Sequence, residues 1–270
     1  MTPSRRHALK TAGRAAAGTA IVGGLAAMVA PAIAPLAAIV AASAAVVFEL
    51  GQIRGALDRR LDELDGDLAQ QAPLAELHRR LATRRPLPAM RGFAIAPDCA
   101  LLLAELIGDE RPEIVVETGS GVSTLVIAYG LEQLGRGRVI ALDHDAAYAA
   151  ATRAEIARHG LDAYATVVHA PLTEVVLDGE RHRWYARDAL DGLPPIDLVV
   201  DDGPPRYLGA GLRYAALPVL APRMAARATF VLDVIGAEER ANLARWARAL
   251  PAFRHELLAT RKGNAILRRG

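Results

Sequence analysis

The sequence predicts an α/β protein with a doubly wound, mostly parallel sheet, preceded by an N-terminal hydrophobic helical segment. Three observations support this fold class. From residue 97 onward, short apolar runs alternate with helical segments, which is typical of parallel strands buried on both faces. A glycine-containing turn, ETGSGVST, follows the first of these runs. Near the N-terminus, residues 15–48 contain no charged side chain.

The composition indicates a folded protein and excludes several kinds of site. Hydrophobic residues make up 52% and charged residues 23% of the 270 positions, which suits a packed core and not a disordered chain. The formal net charge is +2 and basic residues are interleaved with acids, so we predict no nucleic-acid partner. A single cysteine, Cys99, allows no intrachain disulfide and no cysteine-based zinc site.

The uncharged N-terminal segment predicts attachment to a membrane. As one helix, residues 15–48 would be about 50 Å long, whereas the hydrocarbon core of a bilayer is about 30 Å thick. Pro31 and Pro35 lie in the middle of the segment, where a helix would break. We therefore expect two limbs, at about 15–30 and 36–50, that form a hairpin in the cytoplasmic membrane.

Basic residues flank both ends of this segment: Arg5, Arg6, Lys10 and Arg14 before it, and Arg54, Arg59 and Arg60 after it. By the positive-inside rule, both flanks and the domain that follows face the cytoplasm. Two alternatives stay open. Residues 4–10, SRRHALK, are similar to a twin-arginine export signal, with ASA at 42–44 as a cleavage site. The alanine-rich limbs also suit a soluble helix pair.

An amphipathic helix is predicted next. Its apolar residues recur at spacings of three and four, at Leu50, Ile53, Leu57, Leu61, Leu64 and Leu68. Pro73 is expected to break this helix, and the proline-containing residues 84–90 to form a linker. Residues 50–81 either mediate homo-oligomerisation or pack on the following domain. The predicted domains are a membrane segment at 1–50, a helical stalk with linker at 51–91, and the α/β domain at 92–270.

The elements of the α/β domain are predicted from their apolar runs and from the turns between them. Helices are predicted at 97–107, 123–134, 146–160, 213–224 and 238–250. Strands are predicted at 113–118, 138–145 and 165–171, within 196–205, and at 229–234. The tail, 253–269, is typical of two strands around a turn at 262–264, so the sheet is expected to close with an antiparallel hairpin.

The glycine turn lies where ligands bind in open parallel sheets, at the carboxyl end of a strand. Gly119 and Gly121 let a ligand approach the backbone, and Ser123 can cap the following helix. A dinucleotide fingerprint would have a third glycine where Thr124 stands. The carboxylate of Glu117 would repel a pyrophosphate but attract an amino group. The turn therefore favours a cationic adenosine cofactor, with an NAD-type oxidoreductase as the alternative.

The second and third strand ends support an adenosine site. Asp143 ends the run VIALD, where its carboxylate can accept hydrogen bonds from both ribose hydroxyls. His144 would then lie beside the adenine, and Ala170 and Pro171, after the third strand, would flank the adenine edge. Asp145 is interpreted as the cap of the helix that follows.

These residues, together with the strand DLVVDDGPP, resemble class I S-adenosylmethionine-dependent methyltransferases, over about residues 92–269. The motifs ETGSGVSTL, WYA, DDGPP and RYAALPVL are similar to a bacterial group of small-molecule methyltransferases. The resemblance implies a seven-stranded sheet with a terminal antiparallel hairpin. It implies that Glu117, Gly119, Ser120 and Gly121 hold the methionine end of the cofactor, and Asp143 the ribose. It also places Asp202 near the transferred methyl group.

Two positions depart from the pattern of that group. Ala215 stands where the group has proline, and Asp233-Val234 stands where it has two acids. Because one acid is missing near the substrate face, we predict no metal ion. A non-catalytic membrane protein with a degenerate cofactor domain is therefore kept as a further alternative.

The expected reaction is methyl transfer to a hydroxyl group of a small-molecule, lipid-like or sugar-type acceptor. Asp202 is the predicted catalytic residue, as a general base or as a group that orients the acceptor. Its alternative role is to fix the turn before Pro204. The candidate substrate residues are Trp184, Tyr185, Arg206, Tyr207 and Asp233.

Overall fold

The computed structural model describes residues 34–233 and 235–269. The predicted first limb at 15–30, the basic N-terminal residues and Val234 lie outside the described residues. The chain divides into two compact units, Met1–Leu68 and Ala69–Gly270.

In the first unit, helix α1 (Ala34–Ala69) is continuous for 36 residues. It passes through residue 50 without a break, so the expected second limb at 36–50 is the first part of a longer helix. The structure therefore shows no boundary between the predicted membrane segment and the predicted stalk. Among the described residues, one helical stretch, Ile39–Arg80, is long and apolar enough to cross a membrane, a test that a signal sequence also meets.

Helix α2 (Gln71–Arg80) opens the second unit. The break between α1 and α2 lies at Gln70 and not at Pro73, where the sequence predicts it. Pro73 falls in the first turn of α2, a position that tolerates proline. In a continuous helix its ring would clash with the carbonyl group four residues earlier, which belongs to Ala69. This clash explains why α1 ends at Ala69.

The second unit is built on a seven-stranded sheet, which confirms the predicted fold class. Its strands are β1 (Ile114–Thr118), β2 (Arg138–Asp143), β3 (Ala165–His169), β6 (Ile196–Asp201), β7 (Met224–Asp233), β8 (Phe253–Leu258) and β9 (Asn264–Arg269). The spatial order is β3-β2-β1-β6-β7-β9-β8. The first five strands in this order are parallel. Strand β9 is antiparallel to both of its neighbours, so the predicted closing hairpin is confirmed.

Helices cover both faces of this sheet. They are α3 (Pro97–Glu110), α4 (Val122–Leu134), α5 (Ala146–His159), α6 (Ala216–Leu220) and α7 (Ala237–Ala249). One apolar layer packs α2 to α5 against the sheet, and the other packs α6 and α7. Chain order reverses between β1 and β6, so their carboxyl ends diverge and leave a crevice at that edge.

Two features differ from the sequence predictions. A separate hairpin, β4 (Leu172–Leu177) and β5 (Glu180–Tyr185), forms where no strands are predicted, and its inner side joins the second apolar layer. The predicted helix at 213–224 is replaced by two short 3₁₀ turns around α6, and β7 begins at Met224, earlier than expected. Pro218 and Pro222 explain the shorter helix, because neither supplies the amide that a continuous helix needs.

Candidate active site

A cavity of about 250 Å³ opens at the carboxyl ends of β1, β2 and β6. Six of the predicted cofactor residues line it: Gly119, Ser120, Gly121, Ser123, Asp143 and His144. Asp202 also lines it, as do two of the predicted substrate residues, Tyr185 and Tyr207. The cavity therefore brings together the residues that the sequence places after three separate strands.

The glycine turn follows β1 and packs closely against the ends of β2 and β6. Gly119 has φ 86°, a conformation that strains other residues, and its amide donates to the Leu142 carbonyl at 2.8 Å. A Cβ atom at this position would lie 3.3 Å from the backbone oxygen of Asp202. A glycine is thus required where the ends of β1, β2 and β6 approach one another.

Asp143 connects the glycine turn to the end of β2. Its carboxylate accepts hydrogen bonds from the backbone amide of Ser120 at 3.2 Å and from the Ser120 hydroxyl at 2.5 Å. The other oxygen accepts from the amide of Asp145 at 3.0 Å. Asp145 itself accepts from the amides of Ala147 and Tyr148, which confirms it as the cap of α5.

Glu117 lies beneath the turn and does not line the cavity. It is fully buried, and one carboxylate oxygen accepts a hydrogen bond from the Thr124 hydroxyl at 2.5 Å. The same hydroxyl accepts from the Gly121 amide at 3.0 Å, so Thr124 couples the acid to the turn. The other carboxylate oxygen has no hydrogen-bond partner. Burial raises the pKa of Glu117 to about 7, although the nearby hydroxyl groups of Ser123 and Thr124 lower it.

Of the predicted site residues after β3 and in the β4–β5 hairpin, Tyr185 lines the cavity and the others do not. Ala170 is buried and donates its amide to the Asp143 carbonyl at 2.7 Å, whereas Pro171 is exposed; neither lines the cavity. Trp184 is fully buried in the second apolar layer. Tyr185 lines the cavity, and its buried hydroxyl has no partner. Burial, followed by the charge of the nearby Asp201, raises the pKa of this hydroxyl well above its ordinary value, so it stays protonated.

Asp202 is the acid that meets the cavity after β6. Its side chain is 15% exposed and lies 3.4 Å from the Arg213 guanidinium. The charge of the buried Asp233 also acts on it. Burial and the charge of Asp233 raise the pKa of Asp202 well above its ordinary range, while Arg213 opposes that shift. Asp202 is thus a carboxyl group held between a second acid and a cation.

Asp233 lies behind Asp202 and is fully buried. One of its oxygens accepts from the side-chain amide of Asn264 at 2.8 Å, and its backbone carbonyl accepts from Arg213 at 2.7 Å. The sequence analysis did not assign Arg213 or Asn264 to the site. The only sign of them in the sequence is an arginine inside the apolar run RYAALPVL and an asparagine in the predicted turn of the tail.

Arg206 and Tyr207 follow the proline turn in different environments. Arg206 donates to the buried Glu239 at 2.9 Å and 2.5 Å, and it does not line the cavity. Tyr207 is 68% exposed at the mouth of the cavity, where its ring centroid lies 5.9 Å from that of Phe93, which is 77% exposed. Within residues 34–233 and 235–269, no group of three or more His, Cys, Asp or Glu residues could hold a metal ion.

Comparisons with known proteins agree with this geometry. Residues 116–234 match the model of a family described as a methyltransferase domain. No curated protein sequence matches the chain significantly.

Among solved structures, the SAH-bound methyltransferase PaMTH1 of Podospora anserina is 16% identical, with a TM-score of 0.52 over 78% of this chain and 96% of that one. The O-methyltransferase of Bacillus cereus in complex with SAH is 18% identical, with a TM-score of 0.50 over 74% and 91%. The precorrin-6y C5,15-methyltransferase of Geobacter metallireducens is 14% identical, with a TM-score of 0.52 over 67% and 93%. At these identities the likeness concerns the fold.

The sheet order, the crevice at β1 and β6 and the family match together define a class I methyltransferase domain. The second unit accordingly carries an S-adenosylmethionine-dependent methyltransferase domain. This identification replaces the NAD-type oxidoreductase that the glycine turn alone left open.

Proposed function

We propose that the protein transfers a methyl group to a neutral hydroxyl of a small acceptor, with Asp202 as the general base. The observation that carries this proposal is the placement of Asp202. It lies at the cavity wall with a raised pKa, backed by Asp233 and Arg213. A carboxylate whose pKa is raised holds a proton more strongly, so it is a better acceptor of a hydroxyl proton than an ordinary carboxylate.

The cofactor is proposed to lie along the glycine turn and the end of β2. Gly119, Ser120 and Gly121 would hold its methionine end, and Asp143 its ribose. The unpartnered hydroxyl of Tyr185, which lines the cavity, supports such a ligand, because buried polar atoms rarely stay unsatisfied. When bound, S-adenosylmethionine supplies an electrophilic methyl group.

The lining of the cavity favours an uncharged acceptor. Among the described residues that line it there are two acids, Asp143 and Asp202, and no lysine or arginine. Such a wall repels phosphates and carboxylates. At the mouth, Phe93 and Tyr207 expose apolar rings that could cover the apolar part of an acceptor. A small molecule or lipid-like compound with a free hydroxyl group fits these properties.

An Asp202→Asn variant tests the catalytic proposal. It keeps the shape of the side chain but removes the base, so we expect turnover to fall by roughly 10²- to 10⁴-fold. The assay measures transfer of labelled methyl from S-adenosylmethionine into cell extract. In the wild type, transfer should increase with pH, because Asp202 must be ionised and its pKa is raised.

The matched control is Asp162→Asn, which changes an exposed aspartate outside the cavity and should transfer methyl normally. Affinity for S-adenosylhomocysteine, measured by calorimetry, should be unchanged in both variants. If Asp202→Asn loses that affinity, Asp202 holds the cofactor and is not the base. If the wild type binds no adenosine ligand, the non-catalytic alternative is supported.

We also propose that the N-terminal segment holds the enzyme at the cytoplasmic membrane, with the α/β domain facing the cytoplasm. The apolar first part of α1 supports this, and so does the cytoplasmic supply of S-adenosylmethionine. Membrane fractions washed with alkaline carbonate should retain the full chain but release a variant that lacks residues 15–50. A reporter fused after the last residue that is active only in the periplasm would instead favour twin-arginine export.

A further inference from the structure

Helix α1 carries an apolar stripe of exposed side chains along its second half. The stripe comprises Leu50, Ile53, Leu57, Leu61, Leu64 and Leu68, each between 49% and 61% exposed. Single exposed leucines are common, but six on one side of one helix form a continuous apolar surface. Such a surface on a folded protein marks a contact site.

The spacing of the stripe identifies the form of that contact. Leu50, Leu57 and Leu64 are seven residues apart, and Leu61 and Leu68 lie four residues after the last two of them. This is the heptad pattern of a coiled coil, with the first three at d positions and the other two at a positions. The pattern extends back to Val47 at an a position, so it covers three heptads.

We propose that the stripe, residues 47–68, pairs with the same segment of a second copy of this chain as a parallel two-stranded coiled coil. The heptad assignment puts Arg54 at an a position. A single charged residue in the seam restricts the assembly to few strands, because a larger bundle would bury its charge more completely.

The flanking charges determine the direction of the two helices. In a parallel pair, Arg60, at a g position, faces Asp65, at an e position, of the other copy, and this contact occurs twice. In an antiparallel pair the e positions face each other, which brings together Asp58 and Asp65 from the two copies. A parallel pair also brings the two Arg54 side chains together at the a position, but each has an ion pair with Asp58 of its own helix, so the parallel arrangement is preferred. The pairing involves α1 alone and does not depend on the proposed reaction.

Cysteine crosslinking of the full-length protein in detergent micelles tests the pairing. Cys99 is buried, so the wild type should give no crosslinked dimer under mild oxidation. Leu50→Cys and Leu64→Cys should each give a disulfide-linked dimer, because identical d positions meet along a parallel seam. Gln52→Cys and Arg59→Cys, on the outer side of the helix, are the controls and should give little.

Each outcome of this experiment is decisive. Efficient dimer formation at both Leu50→Cys and Leu64→Cys, with little at the controls, supports the parallel coil. An antiparallel pair would crosslink at no more than one of the two sites, and equal yields at all four positions would indicate random collision. Either of those results, or no dimer at any position, overturns the proposal.

Charge reversal supplies an independent readout that does not depend on disulfide geometry. Arg60→Glu should raise the dimer dissociation constant, measured by light scattering, by roughly tenfold, because two contacts become repulsive. Adding Asp65→Arg to that variant should restore the dimer. Absence of this rescue would contradict the parallel arrangement. Unchanged S-adenosylhomocysteine affinity in all variants shows that the second unit stays folded.

Discussion

Glu117 illustrates how a single residue can be informative in the sequence and still lie outside the cavity. Its carboxylate is buried under the glycine turn and reaches the turn through the Thr124 hydroxyl. Thr124 stands where a dinucleotide fingerprint has glycine, so the departure from that fingerprint has a structural role. The carboxylate lies just beneath the turn, so its charge can attract a cationic ligand group without direct contact.

The raised pKa of Glu117 predicts a pH-dependent affinity. Below about pH 7 the acid is protonated and cannot attract an ammonium group; above it the acid is ionised. Wild-type affinity for S-adenosylhomocysteine should therefore rise by about tenfold between pH 6 and pH 8. Glu117→Gln should bind about tenfold more weakly at pH 8 and show little dependence on pH.

Calorimetry at several pH values, in two buffers of different ionisation enthalpy, measures this effect. The wild type should release about one proton on binding at pH 6, because the ligand cation favours the ionised acid. Glu117→Ser, which also lacks the acid, should behave like Glu117→Gln. Equal pH dependence in wild type and variants would limit Glu117 to a structural role beneath the turn.

At the scale of elements, the segment after α2 is fastened to the α/β core by Arg84. Its guanidinium donates to the carbonyls of His159 and Gly160 at the end of α5, and to Glu132 on α4. Carbonyls at the end of a helix lack partners within the helix, so an arginine there satisfies them and complements the helix dipole. One side chain thus joins three elements.

Removal of that side chain should loosen the segment without affecting the cavity. We expect Arg84→Ala to lower the free energy of unfolding by about 1 kcal/mol, a modest value because the side chain is about half exposed. The corresponding drop in melting temperature is roughly 2–4 °C. Arg85→Ala, at the neighbouring exposed position, is the control. A loss of S-adenosylhomocysteine affinity in Arg84→Ala would contradict this assignment.

The elements also show which parts of the structure a sequence reveals. The strands β1, β2, β3 and β6 are continuous apolar runs bounded by turns, so their pattern predicts them locally. The β4–β5 hairpin is different: its strands carry many charged residues and only part of one side is buried. Its stability comes from packing on distant residues, which no local pattern reports.

At the scale of the whole molecule, the division into two units predicts that they can be separated. None of the described residues 39–68 is buried, whereas both apolar layers lie within the second unit, beginning at Leu77. A chain of residues 69–270 should fold and bind S-adenosylhomocysteine within about threefold of the full-length affinity. It should also be released from membranes and be monomeric.

Circular dichroism, calorimetry and light scattering measure these three properties. A matched variant, the full chain with Leu57→Asp and Leu61→Asp, should lose only the dimer and keep its membrane attachment. If the shorter chain does not fold, the first unit contributes to the stability of the second, and the two are not independent.

In the candidate site too, local sequence patterns predict some residues, whereas others depend on contacts between distant parts of the chain. Gly119, Asp143 and Asp202 come directly after strands, and parallel strands bring their carboxyl ends together, so the sequence predicts that they meet. Arg213 and Asn264 reach Asp202 and Asp233 from outside that set, through a 3₁₀ turn and the closing hairpin. Their approach depends on the three-dimensional path of the chain, which strand ends alone do not specify.

The position of β9 between β7 and β8 has a consequence for biosynthesis. A ribosome makes β7 and β8 before β9. Strand β7 can pair with β6 at once, but β8 has no partner in the sheet until β9 has emerged and inserted between β7 and β8. Asn264, the first residue of β9, also supplies the amide that holds Asp233 behind Asp202. The nascent chain can therefore present its apolar N-terminal segment early, whereas the acid pair is assembled among the last features of the fold.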